Sequence, residues 1–156
     1  MELTLAQLNE IGAGHLPGLI GVVVDEVGTD AARAHLDVEE KHWAPNGYLH
    51  AATVVALADT ACGYGCILNL PDGATGFTTV ELKTNFVRTV NSGTIACDAK
   101  LVHGGRTTQV WDATVIDPDG RTMALFRCTQ FLLRWPRVET PLGGNANKNR
   151  GKWRSP

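Results

Sequence analysis

The sequence lacks an excess of charge of either sign. Its 156 residues include 14 Lys and Arg against 16 Asp and Glu, which gives a formal net charge of −2. A dedicated nucleic-acid-binding domain is usually strongly basic, so we predict no nucleic-acid partner. With 19% charged and 44% hydrophobic residues, the chain has the composition of a folded domain rather than a disordered one. It is long enough to bury one core without disulfides or a metal.

The sequence also has no signal segment, no uninterrupted apolar run and no cysteine motif. Residues 42–71 carry Asp59 as their only Asp, Glu, Lys or Arg, but they are interrupted by Pro45, Gly47 and His50. A membrane-spanning helix needs about 20 predominantly apolar residues, so this stretch predicts a buried helix. No secretion signal is visible at the N-terminus, and the four cysteines form no CxxC pair. These absences predict a cytoplasmic protein with reduced thiols, no metal and no membrane association.

Basic residues are concentrated at the C-terminal end. Residues 137–156 contain five Lys or Arg and one Glu, together with several Gly and Asn and few apolar residues. This composition predicts a loose tail, which is either a solvated end or an arm that binds a partner. Residues 1–136 are then the single folded domain.

The spacing of apolar residues predicts an α+β domain. A short amphipathic helix is expected over 4–13, followed by strands at 19–27 and 31–40. Residues 51–68 run AATVVALADTACGYGCIL, which is too long for one strand and predicts a buried helix. Four further strands are expected at 77–90, 94–103, 107–117 and 121–134. About six mainly antiparallel strands could curve around the central helix and leave edges that a homo-oligomer covers.

Two residues of this helical region are candidates for chemistry. Asp59 lies in the middle of the most apolar helix, where an unpaired carboxylate is costly to bury. It is either a structural carboxylate bonded across a subunit contact, or a nucleophile or general base in an apolar cleft. His50 directly precedes the helix, whose first free amides could hold an anion or a developing oxyanion. A histidine at this place is either a hydrogen-bonding structural residue or part of the active site.

The order of residues around the helix carries a family resemblance. The quoted segments are Asn46-Gly47-Tyr48-Leu49-His50-Ala51-Ala52, Ala56-Leu57-Ala58-Asp59-Thr60-Ala61, Thr78 to Phe86 and His103-Gly104-Gly105-Arg106-Thr107. Over residues 17–134 this combination resembles the hotdog-fold acyl-CoA thioesterases, specifically the phenylacetate-degradation type with a His-Gly-Gly motif. The chain departs from that motif, because Ala51 and Ala52 replace both glycines. It also has Ala44 where the family often has Asn or Gln.

The resemblance implies hydrolysis of an aryl- or medium-chain acyl-CoA to the free acid and CoA, with no cofactor. Asp59 would activate water or attack as the nucleophile. The amide of Ala51 would polarise the thioester carbonyl, and Thr79 would orient the water. His50 would shape the loop or contact the substrate.

The same resemblance predicts where the substrate binds and how the chain assembles. Expected substrate-binding residues are Asn46, Gly47, Ala52, Arg88 and Arg106, of which the two arginines are candidates for the CoA phosphates. A homodimer or homotetramer is expected. The alternative is a non-catalytic hotdog protein that binds acyl-CoA or serves as a scaffold, which the two replaced glycines favour.

Overall fold

The computed structural model describes residues 3–134. The tail predicted at 137–156 lies outside these residues, as does the end of the domain predicted at 136. The helices are α1 (Leu5–Ala13), α2 (Leu16–Ile20) and α3 (Ala51–Leu68), with a 3₁₀ turn at Glu40–His42. The strands are β1 (Val22–Gly28), β2 (Ala31–Val38), β3 (Gly76–Phe86), β4 (Gly93–Gly104), β5 (Thr108–Ile116) and β6 (Thr122–Leu133).

The six strands form one sheet in the order β1-β2-β4-β5-β6-β3, and every neighbouring pair is antiparallel. The sheet wraps around α3, so β1 and β3 are its two edges. This is the hotdog architecture, and it confirms the predicted α+β fold. The chain runs from β2 through α3 to the far edge before it returns to pair β4 with β2. As a result, α3 crosses the whole inner face of the sheet.

Small residues let α3 lie close to the sheet. Leu57, Ala58 and Ala61 are fully buried, and at Gly65 an added Cβ would lie 2.6 Å from the Trp111 ring. The helix limits agree with the prediction of 51–68, and burial is confined to the side of the helix that faces the sheet. Asp59 and its neighbours on one side are only half-buried, because no other element of the described chain covers that side completely.

The N-terminal region differs from the prediction in one element. Residues 16–20, expected to begin a strand at 19, form the short helix α2. Pro17 stands in its first turn, and Gly21 ends it with a φ of +80°. A short apolar run does not distinguish a strand from a helix, and here the proline and glycine at either end favour the helix. The strand expected at 77–90 also ends earlier, at Phe86.

Among the described residues, α3 is the one helix long and apolar enough to cross a membrane by length and composition. In this fold 56% of it is buried inside the domain. Core helices of globular domains pass the same test, and we interpret α3 as one of them.

Candidate active site

The site is centred on a contact between Asp59 and Thr79. Because α3 crosses the inner face of the sheet, Asp59 faces the edge strand β3. The Thr79 hydroxyl donates a hydrogen bond to Asp59 Oδ1 at 3.1 Å. A β-bulge lies directly after Thr79, between Thr79 and Glu81. Bulges of this kind re-aim side chains beside active sites, and this one leaves Thr79 directed at the helix.

Asp59 has no ion-pair partner within the described part of the chain. Burial raises the pKa of its carboxyl, and the hydrogen bond from Thr79 opposes part of that rise. A carboxylate in this setting is less stabilised by its surroundings than one in water, and it is therefore a better proton acceptor. The arrangement can supply a general base or a carboxylate nucleophile.

A second set of groups lies at the N-terminus of α3. His50 is the N-cap, and its Nδ1 accepts a hydrogen bond from the amide of Ala52 at 3.0 Å. The amide of Ala52 is therefore occupied. The amide of Ala51 donates to no described residue, and Ala51 is exposed. It is available to hold a carbonyl oxygen on which negative charge develops.

His42 holds this N-terminus in place, and sequence analysis did not identify it. Its side chain is 3% exposed, and its carbonyl accepts hydrogen bonds from the His50 amide at 2.9 Å and the Thr53 hydroxyl at 3.3 Å. The amide of Glu39 donates to His42 Nδ1 at 2.9 Å. No local spacing signals this role, because the groups it links are up to eleven residues away.

The turn before His50 is formed by a glycine with positive φ and by two local hydrogen bonds. Gly47 has a φ of +82°, and its amide donates to the carbonyl of Ala44 at 2.9 Å. The side-chain oxygen of Asn46 accepts from the amide of Tyr48 at 3.2 Å. Asn46 and Gly47, predicted to bind substrate, thus make contacts that shape the turn. Their role toward substrate stays a prediction.

The two arginines predicted to bind phosphate are far apart. Arg88 lies 3.7 Å from the Asp117 carboxylate, just beyond the end of β5. Arg106 precedes the start of β5, where its carbonyl accepts from Arg134 at 2.8 Å. The nine residues of β5 separate them by roughly 30 Å at about 3.4 Å per residue. Within one chain they cannot contact the same phosphate group, and the segment that contains Arg88 is the one that borders the start of α3.

The catalytic candidates are also separated within one chain. Ala51 and Asp59 are eight residues apart on α3, about 12 Å along the axis at roughly 1.5 Å per residue. Three surface clefts of about 300, 350 and 470 Å³ lie elsewhere, and none of them is lined by Asp59 or Thr79. In the single chain, the half-buried side of α3 therefore lies on an open surface and not in one of these clefts.

The hotdog fold and comparisons with known proteins together place the protein in the class of thioester hydrolases. The model of the thioesterase superfamily matches residues 46–124, and the chain belongs to that family. It is 29% identical over 135 residues to a 1,4-dihydroxy-2-naphthoyl-CoA hydrolase from Escherichia coli (strain K12), covering 85% of this chain and 96% of that protein. It is 30% identical over 110 residues to the protein of the same name from Listeria monocytogenes, covering 70% and 89%.

A solved structure gives the same result. The chain matches a Gln-to-Ala variant of the thioesterase PA1618 from Pseudomonas aeruginosa with a TM-score of 0.81 and 26% identity. The match covers 86% of this chain and 97% of that chain. The predicted thioesterase family, hotdog fold and thioester hydrolase class are confirmed. The finer placement in the phenylacetate-degradation group stays a prediction.

Proposed function

We propose that this protein hydrolyses an acyl-CoA to the free acid and CoA, and that Asp59 performs the attack as general base or nucleophile. The observation that carries this proposal is the half-buried Asp59 carboxylate, which has Thr79 as its hydrogen-bond donor and no cationic partner in the described chain. A general base works best when its pKa lies near the working pH. Burial moves the pKa of Asp59 upward, toward that range.

The free amide of Ala51 is the proposed oxyanion donor. The tetrahedral intermediate carries a negative oxygen, and a backbone amide at a helix N-terminus is aligned to bind it. Replacing the family's glycine by Ala51 retains this amide, because residue 51 begins a right-handed helix and no positive φ is required there. The loss of the glycine is therefore compatible with catalysis.

Because Ala51 and Asp59 of one helix are too far apart, we propose that a two-fold dimer builds each site. If two α3 helices pack antiparallel through their half-buried sides, Ala51 of one chain lies opposite Asp59 of the other. Each dimer then contains two identical sites. His50 would line the same opening, since it caps the helix next to Ala51.

For the acyl group we propose an aromatic acid, with a medium-chain acyl group as the second choice. Support comes from the relatives named for 1,4-dihydroxy-2-naphthoyl-CoA and from Phe77, whose ring tip packs on Gly63 one helical turn after Asp59. CoA phosphates would be met by basic groups such as Arg88 near the start of α3, with Arg106 contributed from another chain. The expected location is the cytoplasm, where the four buried cysteines stay reduced as free thiols.

The test is thiol release from a panel of aromatic, medium-chain and short-chain acyl-CoAs, followed with a thiol reagent. We expect turnover with at least one aromatic member, and turnover that is higher than with the short chains. Binding of acyl-CoA without turnover across the panel would instead support the non-catalytic alternative. Turnover restricted to medium chains would reject the aromatic assignment and leave the hydrolase in place.

A further inference from the structure

A row of three polar side chains lies on three adjacent strands at one edge of the sheet, starting beside Asp59. Thr79 on β3 pairs directly with Gln130 on β6, and Gln130 pairs directly with Gln109 on β5. Directly opposed residues on antiparallel strands have Cβ atoms about 5 Å apart. Gln130 therefore lies between the residue that contacts Asp59 and a second buried amide.

The two glutamines of this row differ in their hydrogen bonds. Gln109 is 1% exposed and fully engaged, since its Nε2 donates to the Asn69 carbonyl at 2.7 Å and its Oε1 accepts from Trp111 Nε1 at 2.8 Å. Gln130 is 0% exposed, and neither its Nε2 nor its Oε1 has a partner among the described residues. Buried amides in native proteins are almost always paired, so the side chain of Gln130 calls for a specific explanation.

The Thr79 hydroxyl is the group that can accept a hydrogen bond from an amide donor at position 130. A threonine hydroxyl has one proton and two acceptor lone pairs. Its proton is given to Asp59, which leaves the lone pairs to accept. Gln130 Nε2 is a donor on the adjacent strand. It makes no direct hydrogen bond to the hydroxyl in the structure, but a rotation of its side chain or one buried water would connect the two groups.

We propose that Gln130 is a positioning residue for the Asp59–Thr79 pair. Its amide donates to Thr79 Oγ1, directly or through one water, and this contact keeps the hydroxyl proton directed at the carboxylate. Gln130 itself does not touch the substrate, because it is buried beneath α3. The proposal rests on the function proposed above for Asp59.

The groups next to Asp59 determine whether its titration can be followed in a pH profile. Thr79 is its neighbour on β3, and Cys62 is the nearest titratable group on α3. Contact with the Cys128 thiol and burial hold the pKa of Cys62 well above its ordinary range, so that thiol stays neutral at working pH. The acidic limb of the kcat/KM profile should therefore include the titration of Asp59 and no contribution from that thiol.

The first test compares Gln130→Met with Gln109→Met. Both variants remove a buried amide from the same row with little change in volume. We expect Gln130→Met to lower kcat by roughly 10- to 100-fold, because a small misplacement of a catalytic group has effects of that size. KM should change little, and the acidic limb should move to higher pH as Thr79 stops donating reliably. Gln109→Met should lower Tm but leave kcat and the acidic limb unchanged. Equal effects of both variants on kcat would overturn the proposal.

The second test is a double-mutant cycle with Thr79→Val. If Gln130 acts through the Thr79 hydroxyl, Gln130→Met should have no further effect on kcat or on the acidic limb once that hydroxyl is gone. Fully additive effects would mean that Gln130 acts elsewhere.

A crystal structure of the unmodified protein keeps the proposal testable if Gln130→Met fails to fold. We expect Gln130 Nε2 within hydrogen-bond distance of Thr79 Oγ1, or of one ordered water that also contacts that oxygen. An amide bonded only to other groups would reject the proposal. This structural result does not depend on whether Asp59→Asn abolishes turnover, so failure of the proposed function would be recognised separately.

Discussion

The two halves of α3 are both largely apolar but present different groups to their surroundings. In the second half, Gly65 lies against the Trp111 ring and Cys62 and Cys66 are fully buried. In the first half, Ala51 is exposed and Asp59 is half-buried beside an edge strand. Both halves pack on the sheet through buried residues such as Leu57 and Cys66, but the first half also presents an amide and a carboxylate on an open side.

This difference shows how one helix can both pack against the sheet and present the functional groups of the site. Close packing tolerates almost no change in volume, and it holds the helix at a defined height above the sheet. The open half then presents its functional groups in defined positions without closing them off from substrate. We therefore expect substitutions on the open side of the first half, at Ala51 and Asp59, to affect turnover, and substitutions at closely packed positions such as Gly65 to affect stability.

The largest effect is expected for Asp59→Asn, which keeps the shape of the side chain and removes its basicity. Positioned general-base catalysis is typically worth about 10²–10⁴-fold, and we expect kcat to fall at least by the lower figure. Steady-state thiol release measures this, and circular dichroism checks the fold. Asp98→Asn is the matched control, because Asp98 is an exposed residue paired with Arg33 at 3.2 Å. Turnover near the wild-type level in Asp59→Asn would remove Asp59 from the mechanism.

The next prediction asks whether the open half of α3 is completed by a second chain. Ala51→Pro removes the free amide at the first helical position, where proline is tolerated. His50 before it already has the extended conformation, with φ −68° and ψ 134°, that a following proline requires. Ala51→Pro and Asp59→Asn homodimers should each be nearly inactive.

When the two variants are refolded together, random pairing should give roughly half heterodimers. Each heterodimer would have one site with both changes and one intact site, so about a quarter of wild-type activity should return. Mass spectrometry establishes that heterodimers are present. If they are present and activity does not return, the two groups do not meet across a dimer interface.

A smaller effect is expected from two glycines of the second half. Alanine is about 1 kcal/mol more favourable than glycine inside a helix, but overpacking a core costs about 1–3 kcal/mol. A Cβ at Gly65 would lie 2.6 Å from the buried Trp111 ring, and one at Gly63 would lie 2.9 Å from the tip of the half-buried Phe77 ring.

Phe77 is on an edge strand and can yield, whereas Trp111 is fully enclosed. We therefore expect Gly65→Ala to lower the free energy of unfolding by up to about 2 kcal/mol, and Gly63→Ala to lower it less. Denaturant unfolding measures both. A larger loss for Gly63→Ala than for Gly65→Ala would contradict the assignment of the rigid contact to Trp111.

The smallest expected effect is on stability as a function of pH. Burial raises the pKa of Asp59 in the folded state, so the folded protein binds this proton more tightly than the unfolded chain. The stabilisation due to Asp59 is therefore present at low pH and is lost as pH rises through the raised pKa. Asp59→Asn, which does not titrate, should have a slightly higher Tm than the wild type at neutral pH, and this advantage should disappear in acid. Thermal unfolding from acidic to neutral pH measures the difference, and a lower Tm of the variant at neutral pH would contradict it.

Local patterns were sufficient for most of the secondary structure. The length of α3 follows from a long, weakly charged run that ends before Pro71, and the turn at Gly47 follows from its Pro-Asn-Gly signal. The α2 segment was misassigned because a five-residue apolar run is too short to show a period. The family resemblance implied that Thr79 orients water, but its hydrogen bond to Asp59 was not predicted, since twenty residues separate the two in the chain. His42 and Gln130 were not predicted, because their importance lies in contacts with other elements.

Residue order alone thus set the hotdog elements, the lone acid in an apolar helix and the free amides at the helix start, because these depend on neighbours in the chain. The path of the chain through space settled which side of α3 stays open and which cross-strand neighbours surround Thr79. It also separated Arg88 from Arg106. The physical reason is that strand register and helix height result from the packing of side chains distant in sequence. A local sequence pattern contains no information about contacts between such distant residues, and the chemistry of this site depends on those contacts.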